Sequence, residues 1–127
     1  MMRRLVNKIV FSGAVLSVLV LHSCKDKDPS VAKIYVRSAS NELLADASVV
    51  IIADIDGNES TQEYVDTLIT NGSGFVEFNL SDYYSKIDKN IKVAKFDIIS
   101  RRSNAEGFGT IRTRINTTAV ETVKLIK

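Results

Sequence analysis

The sequence predicts an all-β domain, seven antiparallel strands folded into a sandwich, and three observations carry that reading. From Val31 onward, short runs rich in Val, Ile, Thr, Phe and Tyr recur between clusters of Gly, Asn, Asp and Ser. No segment sustains the period of about 3.6 residues that marks an amphipathic helix. Asp56-Gly57-Asn58 and Asn71-Gly72-Ser73-Gly74 supply residues that tolerate the positive φ of tight connections.

Ahead of this domain stands a segment of different chemistry. Met1 to Lys8 carries Arg3, Arg4 and Lys8 without an acid, and Ile9 to Leu21 is mostly aliphatic, broken by Ser12, Gly13 and Ser17. A basic start and a short apolar run outline a secretory signal peptide over residues 1–23. The apolar run would span roughly 20 Å as a helix, short of the roughly 30 Å hydrocarbon core, so a permanent membrane span is not expected. Leu21-His22-Ser23-Cys24 follows at once, and Cys24 is the only cysteine of the chain.

That tetrapeptide resembles the lipobox of bacterial lipoproteins, in which an aliphatic residue and two small ones precede a cysteine that is acylated and becomes the first residue after cleavage. His22 is an unusual occupant of its second position. The resemblance implies a diacylglycerol thioether at Cys24, together with a further acyl chain such as palmitate. Two or more chains are what durable anchoring needs, at about 0.8 kcal/mol per buried methylene. Without that modification Cys24 would be a lone thiol in an oxidising compartment.

Residues 24–30 continue as Cys24-Lys25-Asp26-Lys27-Asp28-Pro29-Ser30, polar after the cysteine, and read as a tether. The alternating charges are similar in part to the surface-export signals of outer-membrane lipoproteins. The resemblance implies an outer-membrane protein facing the cell surface in preference to the periplasm.

Removing residues 1–23 takes away three of the seventeen basic residues and none of the fifteen acids, leaving fourteen against fifteen. A near-neutral mature chain lacks the basic field that draws in nucleic acid, so no nucleic-acid partner is expected. The only histidine, His22, leaves with the signal, there is no tryptophan, and the cysteine is committed to lipid. Histidine-dependent nucleophilic catalysis, histidine acid–base chemistry and histidine-bound zinc fall away with them. No cofactor or metal is expected, and the chain is read as a non-enzyme.

Residues 31–127 form the expected sandwich domain, with strands at 32–37, 48–54, 63–70, 74–80, 91–98, 107–115 and 119–126. Ser81 to Lys86 is expected to make one helical turn, capped by Ser81, that crosses between sheets. Alternation sets Val76, Phe78 and Leu80 against Phe75, Glu77 and Asn79 on opposite faces of one strand. By the same rule Gly109, Ile111, Thr113 and Ile115 oppose Phe108, Thr110, Arg112 and Arg114, and the arginine face must meet water.

Leu44-Ala45-Asp46-Ala47-Ser48-Val49 and Thr70-Asn71-Gly72-Ser73-Gly74-Phe75-Val76-Glu77-Phe78 resemble motifs of transthyretin-like, carboxypeptidase-regulatory-like sandwich domains. Asn71 and Val76 depart from the pattern. Val123 and Leu125 fit its closing strand. The resemblance implies an immunoglobulin-like or transthyretin-like sandwich serving as a spacer or interaction module, with Ala47 where the sheets approach closely and Gly74 where the backbone turns. It carries over no catalytic residue.

Asp54-Ile55-Asp56-Gly57-Asn58-Glu59 concentrates oxygen ligands of the kind calcium takes, but Glu59 and Val65 stand where a calcium loop needs glycine and glutamate. It is read as an acidic turn. Asp54 and Asp56 would also be the carboxylates of the less favoured hydrolase reading. Val49 and Ile51 oppose Val50 and Ile52 on the second strand, which is apolar on both faces. Leu43 and Leu44 are expected to cover the outer pair; the alternative is that Val50 and Ile52 meet another protein.

Tyr83 and Tyr84 are either half-buried packing residues or rim aromatics for such a partner. Asp66-Thr67-Leu68 resembles an acceptor for bacterial O-glycosylation, which would make Thr67 a sugar carrier. The chain is thus expected to be a lipid-anchored structural or adaptor protein that contacts another envelope protein. A surface binding module for glycan or host ligand is the alternative, and any small-molecule ligand is left unassigned.

Overall fold

The computed structural model describes residues 27–53 and 63–126. Cys24, the signal segment and the acidic turn from Asp54 to Glu59 lie outside the described residues. Those described form β1 (Val31–Arg37), β2 (Ser48–Ala53), β3 (Val65–Ile69), β4 (Phe75–Asn79), α1 (Ser81–Lys86), β5 (Val93–Arg102), β6 (Ala105–Arg114) and β7 (Thr118–Lys124). Three strands make one sheet in the order β4-β1-β7, and four make the other in the order β3-β2-β5-β6.

The all-β two-sheet architecture agrees with the expectation, with one difference in direction. β1 and β7 run parallel, in register from Val31 opposite Thr118 to Arg37 opposite Lys124. Every other pairing between named strands is antiparallel. Strand direction is invisible to side-chain alternation, which has the same period in either orientation.

Inner-facing alternation builds the core. Ala32, Ile34 and Val36 of β1 meet Val49 and Ile51 of β2, with Val76 and Phe78 from β4 and Phe96 and Ile98 from β5. Arg112 and Arg114 lie exposed on the opposite side of β6 from buried Ile111 and Thr113, as the alternation requires. Ala47 is fully buried, and its N–H donates to Thr70 Oγ1 at 2.9 Å. Thr70 Oγ1 donates in turn to the Leu44 carbonyl at 2.7 Å, so one buried hydroxyl satisfies two backbone groups of the loop between β1 and β2.

Two local expectations need correction. α1 carries the chain from one sheet to the other, but Leu80 occupies its cap position and offers no side-chain cap, while the Asn79 carboxamide accepts the Ser81 N–H at 3.0 Å. Ser81 Oγ instead accepts the N–H of Ser30 at 3.3 Å. Ser30 is buried, accepts the Asn116 N–H through its hydroxyl at 2.7 Å, and takes the Leu80 N–H on its carbonyl at 2.7 Å. The folded body therefore begins at Ser30, one residue before the expected boundary.

β5 and β6 are longer than their sequence suggests, joined through Ser103 and Asn104 with Ser103 at φ 54. An ion pair between Arg101 and Glu106 at 2.7 Å closes that hairpin. At the other turn Gly74 has φ 78, and the Asn71 carboxamide accepts the N–H groups of Ser73 and Phe75. Glycine meets that dihedral without strain.

Candidate interaction surface

The outer face of the four-stranded sheet follows directly from its register. Thr67, Val50, Ile99 and Phe108 form one row across the four strands. Val65, Ile52, Asp97 and Thr110 form the next row, and Ile69, Ser48, Arg101 and Glu106 flank on the other side. Val50, Ile52 and Ile99 are half-buried by their neighbours, whereas Phe108 is 65% exposed and Val65 59%. A shallow hollow of about 520 Å³ lies between Ile52, Asp97, Ile99 and Phe108.

Leu43 and Leu44 do not cover this face. Leu43 bridges to Arg37, and the Leu44 N–H donates to the Val36 carbonyl at 2.9 Å, so both belong to the end of the other sheet. The expected internal cover is corrected accordingly, and among the described residues the outer pair of β2 stays half-buried beside the exposed Phe108. Phe108 was visible in the sequence only as the member of its strand that opposes buried positions. Its place beside Val50 depends on strand order, which the sequence does not state.

Tyr83 and Tyr84 are only 4% and 6% exposed, which removes them from any contact surface. Tyr83 packs edge-on against Phe96 at 5.2 Å and Tyr64 at 5.3 Å between ring centroids. The Tyr84 hydroxyl meets Thr113 Oγ1 at 2.8 Å, and Thr113 Oγ1 donates to the Ala94 carbonyl. Burial raises the hydroxyl pKa of both tyrosines. They join α1 to the core, the packing role the sequence allowed them.

Tyr64 is half-buried against the same rings. Its hydroxyl is pushed from the ordinary 10.0 up to about 12, first by burial and then by the carboxylate of Asp66, to which it donates at 3.3 Å. A folded-state value above the unfolded one means that the neutral phenol stabilises the fold fully below pH 10 and loses that contribution as pH climbs toward 12. The thermal midpoint is expected to decline across that window. Tyr64→Phe should shallow the decline, and identical profiles for the two proteins would contradict the assignment.

Thr67 is exposed on β3, beside Val50 on this outer face. The opposite face of the molecule is different in character. Lys33 Nζ lies 4.2 Å from the centroid of the Phe75 ring and 5.3 Å from that of Tyr35, so a cation lies over both of its aromatics. A second groove, about 420 Å³, opens at the end of the sandwich between Leu44, Leu125, Ser40 and Arg102.

No group of acids able to hold a metal ion occurs among the described residues. No described helix is long and apolar enough to cross a membrane. Neither the protein-family models nor the curated proteins compared with this chain give a match.

Proposed function

We propose that the chain is a lipid-anchored envelope protein of the outer membrane, a non-enzymatic adaptor. In this reading it docks another envelope protein through the outer face of its four-stranded sheet. The observation that carries the reading is the run of Val50, Ile52, Ile99 and Phe108 across adjacent strands, which the Leu43-Leu44 loop leaves uncovered. Contiguous apolar surface beside a polar rim is the pattern of a protein contact; Arg101 and Glu106 supply rim charges, and Asp97 puts one acid in the hollow itself. The transthyretin-like reading of the sandwich is supported by the placement of Ala47 and Gly74, one fully buried near the sheet junction and the other in the turn with positive φ.

The anchor reading rests on Cys24 standing six residues before Ser30, where the body begins, with a polar tether between them. Surface display rather than the periplasmic face belongs to the same proposal, as does glycosylation at Thr67. Cys24→Ser is expected to abolish incorporation of labelled acyl chains and to leave the product unprocessed or soluble. Continued labelling of that variant would overturn the anchor.

The contact face is tested separately by affinity purification from cross-linked envelopes, comparing the unaltered chain with Phe108→Asp. One stoichiometric envelope protein is expected with the former and its loss with the latter. The Phe108 side chain is largely exposed, so the substitution should change stability by no more than about 0.5 kcal/mol. Equal recovery by both, or recovery of polysaccharide instead of protein, would overturn the adaptor reading.

A further inference from the structure

Among the described residues β3 is an open edge of its sheet, and its backbone polarity is set by its pairing. Ala53 donates to the Tyr64 carbonyl and Thr70 to that of Ala47, so even-numbered residues of this stretch turn their N–H and C=O toward β2. Those of Val65, Thr67 and Ile69 consequently point away from the sheet. Such a row is a template for another strand. The side chains on it are permissive, with Val65 59% and Ile69 58% exposed.

The other edges are closed in part by the chain itself. Glu106 of β6 exchanges hydrogen bonds with Ile126, and on β4 both backbone groups of Phe75 are taken up by Asn71. β3 is also nearly self-complementary. An antiparallel pair of β3 strands about a two-fold axis through Thr67 sets Val65 of one copy opposite Ile69 of the other and builds a continuous eight-stranded sheet.

One side chain stands against that pairing, at its centre. Asp66 Oδ1 accepts the outward N–H of Thr67 at 2.8 Å, consuming the donor that the second strand would need first. Asp66 Oδ2 accepts the Tyr64 hydroxyl, and the Tyr64 ring rests on Tyr83 and Phe96, which holds the carboxylate in place. In the two-fold pair the Asp66 carboxylate would also be pressed against Leu68 of the second copy, away from water. An inward-leaning acid on an edge strand is an effective barrier to association.

We propose that Asp66 blocks strand addition at β3, and that the strand it excludes is β3 of a second copy. This goes beyond the adaptor reading and does not depend on the lipid anchor. The test uses the full chain in detergent micelles, with native mass spectrometry for oligomeric state and amide exchange for β3. The unaltered chain is expected to be monomeric, with the Thr67 amide exchanging more slowly than that of Ile69. Asp66→Asn keeps an acceptor and should remain monomeric.

Asp66→Val is expected to dimerise, with the Val65, Thr67 and Ile69 amides protected at least about tenfold over the unaltered chain. A folded but monomeric Asp66→Val would overturn the proposal. So would an unaltered chain already paired through β3, or aggregates whose β3 amides stay exposed. Should Asp66→Val not fold, the unaltered chain still decides: Thr67 exchanging as fast as Ile69 means that no block exists.

Discussion

Replacing Phe96 by Ala is expected to destabilise the protein by about 3–5 kcal/mol, the range for deleting a fully buried aromatic. Phe96 has no exposed surface and lies where three parts of the fold converge: Tyr64 from the segment entering β3, Tyr83 from α1, and β5 itself. Edge-to-face contacts with two tyrosines add to its area burial. Because Tyr64 is tied through its hydroxyl to Asp66 and Tyr83 is fixed to the backbone of α1, neither ring can fill the space left behind, and the cavity term should persist. A domain of this size holds about 5–15 kcal/mol in total, so the variant should sit near its unfolding threshold at room temperature. Urea denaturation followed by far-ultraviolet circular dichroism measures it. A loss under about 1 kcal/mol would show that the aromatic cluster is not the centre of the core.

Gly107→Ala should be nearly as damaging, for the opposite reason. A Cβ at this position would stand 2.5 Å from the Lys124 carbonyl oxygen and 2.9 Å from Val123 Cγ1. The first obstacle is backbone, which cannot rotate away, so β6 and β7 must separate. Overpacking of this kind costs about 3 kcal/mol, and in a domain of this size each kcal/mol shifts the midpoint by roughly 4–8 °C. The bridge between Glu106 and Ile126 should open with it, giving faster exchange of the Ile126 amide. Gly72→Ala is the control, since nothing lies within 4 Å of the added atom. Equal melting of the two variants would refute the close approach of the sheets along β6.

The strands were legible because burial on one face writes a two-residue period into the chain. Val76, Phe78 and Leu80 against Glu77 and Asn79 is sufficient to orient a strand without any knowledge of its neighbours. The crossover turn at Tyr83 and Tyr84 was legible for the complementary reason, as an interruption of that period. What escaped was pairing. Nothing local in Val31–Arg37 says that β7 will lie beside it in the same direction, and Ser103-Asn104 is a weak turn signal whose flanks, Arg101 and Glu106, look like loop until they pair with each other.

The candidate surface was half legible in the same way. Val50 and Ile52 were marked by a strand apolar on both sides. Ile99 and Phe108 belong to the same patch only because β5 and β6 follow β2 in the sheet. The expected role of Leu43 and Leu44 failed because the loop closes on β1 through the Val36 carbonyl rather than folding over β2. In the sequence Asp66 reads only as part of a sugar-acceptor tripeptide, and its two hydrogen bonds depend on ring packing that no short motif encodes.

The parallel alignment of β1 with β7 has a mechanical corollary. The chain enters the body at Ser30 and leaves beyond Leu125 at the far end of the same pair of strands, roughly 20 Å away. Were the chain anchored as proposed, tension between that anchor and a load on β7 would slide the two strands past each other, straining their hydrogen bonds together. A hairpin pulled from one end gives way bond by bond; these strands would have to yield all at once.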